Sequence, residues 1–346
     1  MLTSIALLAS LQAGFPAALE VQAEPQPVEL TRKFKPKEIS TYDVDARATV
    51  EFKPYGLNTF IPLTDGVRFR FTTEVITVTN DGFAQMLYTR PTMTIFGTDL
   101  QKGAVQETEL KVDLRFLMTV SPINEVTNIR DLNPSDDQDD QAELMARLLF
   151  QGEGRSPEQQ RREIIETRLQ VINEVLGPFM NSFTRLTLFV EGITGIDFSP
   201  KLPFDEVVPG DTWQRTVDYA PQQLSGTDKA AVQRLDMTYT YVGRQKNTEG
   251  KEIERIEAVL EAETNAADYL NQLFRVDAKR TGIERVDLKL RTVVKFDLDP
   301  VTHQTLFVEA DGNSSVVVML NKQISENPVL ERRTRGRTTM RLVSNK

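Results

Sequence analysis

The chain of 346 residues has no cysteine, one histidine and one tryptophan. Without cysteine there is no disulfide, thiolate nucleophile, Cys-ligated zinc or iron–sulfur cluster. Lipid attachment through an N-terminal cysteine is excluded too. The lone His303 cannot build a His-rich metal site, and a triad base needs partners in space. It falls in Asp299-Pro300-Val301-Thr302-His303-Gln304, which reads as a solvated hairpin turn. No G-x-S-x-G elbow, P-loop or G-x-G-x-x-G fingerprint occurs. Long apolar runs are missing: Ile5–Leu11 falls well short of the ~20 residues that span a bilayer. Excess positive charge is missing as well. With 50 acidic against 41 basic residues the net charge is -9, a field that repels nucleic acid over most of the surface. The expectation is therefore no cofactor, no nucleic-acid partner, no transmembrane segment and no catalytic residue.

Apolar residues at 40% and charged residues at 26% are ordinary globular values. The short apolar start followed by small residues has the size of a secretory signal core, although no Lys or Arg precedes Arg32. We read residues 1–13 as a signal peptide, with Ala23 as the alternative cleavage point. Residues 24–40, opening on Glu24-Pro25-Gln26-Pro27, read as a flexible leader. The expected location is outside the cytoplasm, periplasmic or extracellular, in soluble form.

Period-two alternation dominates the rest. Val112, Leu114, Phe116, Met118 and Val120 alternate with mostly polar neighbours, as do Val286, Leu288, Leu290, Val294, Phe296 and Leu298. Such strands have one face on a core and one in water, and belong to antiparallel sheets. Asn80-Asp81-Gly82, Thr248-Glu249-Gly250 and Asp311-Gly312-Asn313 read as tight turns. Ser135-Asp136-Asp137-Gln138 and Ser156-Pro157-Glu158-Gln159 are capping boxes that open helices running to about Phe150 and Leu176. Lys251–Arg275 fits strand or helix; a strand to Thr264 with a helix over 265–274 is preferred. The fold class expected is β-rich α+β: an N-terminal β lobe over 41–130, a helical insert over 131–180 and a C-terminal β lobe over 181–346. The lobes have long, curved antiparallel strands and look like a duplicated half.

Leu202-Pro203-Phe204-Asp205-Glu206-Val207-Val208-Pro209-Gly210-Asp211-Thr212-Trp213 resembles a recurring element in a family of uncharacterised exported bacterial β-sheet proteins. There, an LP-x-x-x-V-x-x-GD-[TS]-W turn and strand follows a central helical segment. Thr119–Val126 and Lys295–Pro300 look like the hairpins that close the two lobes of that family. Pro122-Ile123-Asn124 lacks the glycine often found at that turn, and this chain cannot carry the Cys-linked lipid that members often have. The resemblance implies the fold and export, and assigns no catalytic residue.

Two clusters carry candidate chemistry. Asp131, Asn133, Asp137 and Asp139 offer oxygen ligands to a hard cation such as calcium, though the EF-hand spacing fails: Pro134 interrupts it and Asp136 replaces the required Gly. The plainer reading is a solvated loop before a helix N-terminus. Arg333, Arg335, Arg337 and Arg341 form a basic strand that could grip phosphate, sulfate or carboxylate, or simply guard a sheet edge. Trp213 after a Pro-Gly turn reads as a core anchor. Taken together, these features describe an exported non-enzymatic binding or structural protein of a bacterial envelope, in its specific form a carrier of a lipid-like ligand. The partners expected are an amphiphile, a glycan or an envelope protein. A polysaccharide hydrolase using paired carboxylates and a protein–protein adaptor are the alternatives.

Overall fold

The computed structural model describes residues 26–54, 57–99, 102–133, 180, 183–190, 198–219, 233–267, 283–322 and 325–346. They form one antiparallel sheet of 11 strands: β1 (Ile39–Pro54), β2 (Ile61–Val78), β3 (Ala84–Asp99), β4 (Ala104–Val120), β5 (Val126–Asp131), β6 (Thr212–Tyr219), β7 (Gln233–Lys246), β8 (Glu252–Asn265), β9 (Ile283–Leu298), β10 (Thr305–Leu320) and β11 (Leu330–Asn345). The order is β5-β4-β3-β2-β1-β11-β10-β9-β8-β7-β6. Each half is a meander, and the first and last strands pair along their whole length, from Ser40↔Asn345 to Pro54↔Leu330. A single sheet therefore replaces the two separate lobes expected, because that seam has a continuous ladder rather than a linker.

The alternation read from the sequence is what builds this sheet. On β9, Val286, Leu288, Leu290, Val294, Phe296 and Leu298 are buried, while Lys289, Arg291 and Lys295 are exposed on the other face. On β1, Tyr42, Val44, Ala46, Ala48 and Val50 are buried in the same phase. These inner residues belong to one core.

The sheet curls. Laid flat, β5 and β6 would lie ten strand spacings apart, about 48 Å at ~4.8 Å each. Arg215 on β6 nevertheless lies 3.6 Å from Glu125 in the β4–β5 turn. Residues 198–202 fill the seam between them. Leu202 N–H donates to the Ile123 carbonyl, Asn124 Nδ2 donates to the Pro200 carbonyl, and Trp213 Nε1 donates to the Lys201 carbonyl at 2.7 Å. The Pro-Gly-Asp-Thr-Trp element is thus an anchor: the Trp213 ring stacks on Tyr239 at 5.6 Å.

Several expectations are corrected. The stretch read as a flexible leader is fastened across this end of the sheet. Val28 bridges Val207, Leu30 is buried, Arg32 N–H donates to Pro122, and Lys33 N–H donates to Thr302. His303 lies in the expected turn but is buried, not solvated, because the same stretch covers it and its Nδ1 meets the Thr31 backbone, 2.7 Å from the carbonyl oxygen and 3.1 Å from the amide nitrogen. Asp311-Gly312-Asn313 is no turn but the middle of β10. The helices expected at 135–150 and 156–176 lie outside the described residues, so the central pair is no part of the described fold. Helical residues among those described are 180, 183–187 and 267. Lys251–Arg275 is strand to Asn265 with Ala267 helical, its remainder outside the described residues.

Candidate ligand site inside the curled sheet

Across the middle of the inner face runs a line of small residues. Thr292, Gly312, Gly336 and Ala48 are register partners on β9, β10, β11 and β1. Residues 184–188 of the connection between the two halves seat in this trough. A Cβ on Gly312 would meet the Thr187 carbonyl oxygen at 1.9 Å, and one on Gly336 would meet Leu188 at 2.3 Å. Glycine in a strand interior here means close backbone approach. Polar side chains on the inner face satisfy the seated backbone. Thr292 Oγ1 donates to the Thr187 carbonyl at 3.0 Å, Thr338 Oγ1 donates to that of Leu188 at 2.5 Å, and Thr187 Oγ1 bonds Ser314 at 2.7 Å.

Rings continue from this seat in both directions. Phe116, Tyr88, Phe71 and Phe198 follow one another at centroid separations of 6.0, 5.1 and 5.8 Å. Phe198, Phe189, Phe296, Tyr239 and Trp213 continue at 6.3, 6.0, 6.5 and 5.6 Å. This belt ties β4 to β6 through the interior. Leu63, Met93, Ile95 and Ala262 on the inner face are only half-buried, and Leu110, the register partner of Met93, is 39% exposed.

Two polar sites interrupt the apolar wall. On β11, Arg332 donates to Thr184 Oγ1 at 2.6 Å and approaches Asp65 at 3.4 Å. Burial pushes the Asp65 carboxyl up against the pull of Arg332, and burial pushes Arg332 down. On β3, Tyr88 and Arg90 face inward side by side, 1% and 6% exposed. The Arg90 guanidinium lies 4.6 Å from the Phe69 ring centroid. Its Nε and the Tyr88 hydroxyl are buried and have no hydrogen-bond partner among the described residues. Among the described residues no carboxylate pairs with Arg90. Burial pushes the Tyr88 phenol up, so it stays a neutral donor. A buried, unpaired cation costs several kcal/mol, roughly, after relaxation.

Pro91 explains the placement. It cannot donate to the ladder, and the register shifts on both sides of it, between Phe69/Thr72 and between Arg90/Thr92. Before the bulge the even residues of β3 face in; after it Met93 and Ile95 do, opposite Phe69 and Val67. The sequence reading passed over Arg90. The available signal was a charge in the apolar phase of Ala84, Met86 and Tyr88, directly before a proline.

The residues singled out from the sequence lie elsewhere. Arg333, Arg335, Arg337 and Arg341 share the outer face of β11. Arg333 stacks on Phe60 at 4.4 Å, Arg335 donates to Asn313 at 3.1 Å, Arg337 pairs with Glu309, and Arg341 is 3.9 Å from Glu249. An open outer groove of about 740 Å³ is lined by Glu51, Glu263, Lys289, Arg291, Arg333 and Arg335. Of the calcium candidates, Asp131 accepts from the Asn133 backbone N–H at 2.8 Å, and Asn133 Nδ2 donates to the Asp113 carbonyl at 2.9 Å. Asp137 and Asp139 lie outside the described residues. Among the described residues no cluster of three acidic or histidine side chains has metal-site geometry, and no helix is long and apolar enough to cross a membrane.

No family model matches the chain, and no curated protein matches it in sequence. Among solved structures it is similar to DynF of the dynemicin biosynthesis pathway from Micromonospora chersina, at 8% identity and TM-score 0.20, covering 96% of this chain and 92% of that one. A Vibrio parahaemolyticus domain described as an outer membrane lipoprotein-sorting protein has 7% identity and TM-score 0.16, covering 89% and 85%. A DUF1329 family protein from Desulfovibrio piger has 8% identity and TM-score 0.15, again covering 89% and 85%. At these values the likenesses establish no family for the chain and carry nothing about what it does.

Proposed function

We propose that the chain is an exported carrier of a bacterial envelope that holds a lipid-like ligand against the inner face of its curled sheet. One observation carries this reading. The sheet brings its two ends together at Arg215–Glu125, yet β5 and β6 are not hydrogen-bonded neighbours, so the sheet of 11 strands curls its apolar face around the core without closing as a barrel. Beyond the aromatic belt Leu63, Met93 and Ile95 are only half-buried and Leu110 is exposed, which leaves apolar surface on that face for a ligand chain. Curled antiparallel sheets hold apolar ligands in such interiors. The signal-like start and the Leu-Pro to Gly-Asp-Thr-Trp element support export. The hydrolase and adaptor readings draw on no comparable feature, since Trp213 is engaged as an anchor rather than offered as a sugar platform.

Native mass spectrometry of the protein purified from its own host, followed by organic extraction, tests the proposal. The expected result is a bound amphiphile released on extraction. Protein that emerges free of amphiphile and takes none up from fatty-acid and phospholipid panels would overturn it.

A further inference from the structure

The carrier reading leaves the class of ligand open, and the inner face of β3 narrows it. Tyr88 and Arg90 are two residues apart on one strand, so their side chains stand about 7 Å apart on the same face. Both are more than nine-tenths buried. Both are hydrogen-bond donors, and neither donates to anything among the described residues through the Tyr88 hydroxyl or Arg90 Nε. A guanidinium stays charged under all physiological conditions and cannot escape burial by losing a proton. The geometry is held from several sides. Phe69 lies against the guanidinium at 4.6 Å, Phe71 stacks on Tyr88 at 5.1 Å, and Phe116 flanks Tyr88 at 6.0 Å. The Pro91 bulge marks the end of this inward phase. Two fixed donors without an acceptor among the described residues, in an apolar wall, are complementary to an anion carrying an apolar chain. Arg is suited to the planar, two-point grip of carboxylate or phosphate.

We infer that Arg90 and Tyr88 form the head-group pocket for an anionic amphiphile, its carboxylate or phosphate seated between them and its chain lying along the neighbouring inner-face residues such as Met93 and Ile95. This inference rests on the carrier reading. It differs from the outer-face arginines in a physical respect: Arg335 and Arg337 have side-chain partners and open solvent, whereas Arg90 is 6% exposed and its Nε has no partner among the described residues.

The test uses the whole chain and three probes built on a 16-carbon skeleton: palmitate, monohexadecyl phosphate and neutral hexadecanol, with binding followed by displacement of a fluorescent fatty acid. Wild type is expected to bind one or both anions about tenfold more tightly than the alcohol, the size of a charge-assisted contact. The anion bound more tightly identifies carboxylate or phosphate as the head. Arg90→Met should abolish the preference while leaving hexadecanol binding within about twofold, and should melt no lower than wild type because it removes a buried unpaired charge. Arg90→Lys should keep part of the preference, and Tyr88→Phe should weaken the anions about threefold. If all three probes bind equally, or the preference survives Arg90→Met, the inference fails while the carrier reading stands. If none of the three binds, the carrier reading fails with it. If Arg90→Met and Arg90→Lys both lower the melting temperature and leave the preference intact, Arg90 is structural and the inference is overturned.

Discussion

Gly312 and Gly336 face residues 184–188 across a gap that admits no side chain. Gly312→Ala puts a methyl group into the Thr187 carbonyl oxygen, 1.9 Å from an ideal Cβ, so either the strand or the seated segment must move. The expected loss is about 1–3 kcal/mol of unfolding free energy, measured by urea denaturation. Gly97→Ala is the matched control: a Cβ there meets nothing within 4 Å, and stability should change by no more than about 0.5 kcal/mol. At the other end of the sheet Arg32 and Glu38 form an ion pair at 2.6 Å with both side chains 7% exposed. Arg32 also donates to the Lys33 and Thr302 carbonyls. Glu38→Ala leaves a buried guanidinium without its anion and should cost about 3–5 kcal/mol. Arg32→Met combined with Glu38→Ala should recover part of that loss, which a double-mutant cycle would measure.

The β9–β10 hairpin shows how one carboxylate organises an element. Asp299 accepts from the N–H groups of Val301 and Thr302 and from the Thr302 hydroxyl, and the turn so formed presents His303 to Thr31. Burial works against the charged form of Asp299, but these hydrogen bonds outweigh it and hold the carboxyl below its ordinary value of 3.8. A carboxyl depressed in the folded state stabilises the fold above its unfolded pKa, and that contribution is lost as pH falls through the folded value. Asp299→Ala should therefore lower stability at neutral pH by about 1–2 kcal/mol, and the deficit should shrink below about pH 4. A deficit that stayed constant from pH 7 to pH 3 would show that the turn does not depend on the ionised group.

For the whole molecule the β1–β11 seam decides how the chain unfolds. Two lobes joined by a linker would melt separately, whereas one sheet with a shared core should not. Trp213 is the single tryptophan of the chain and reports on β6, near the far edge of the second half. Its fluorescence and the far-UV circular dichroism of all strands should trace one coincident transition. Separate midpoints would indicate that the halves are independent and that the seam is weak. The carrier proposal belongs to this scale as well, since the interior exists only when the halves join and curl.

Strand identity was legible in the sequence because side chains alternate with period two, a local property that one strand needs no partner to display. The turns at Asn80-Asp81-Gly82 and Thr248-Glu249-Gly250 close where positive-φ residues allow, with Gly82 and Gly250 at φ of 84° and 78°. The tertiary structure alone decided what is non-local. Asp311-Gly312-Asn313 has the chemistry of a turn, but the approach of Thr187 made Gly312 part of a strand. His303 looked solvated until residues 28–38 lay across it. Arg90 was visible only as a charge out of pattern. That it is buried, beside Tyr88 and without a counter-ion among the described residues, follows from how distant strands curl together, and no alternation along one strand encodes that distance.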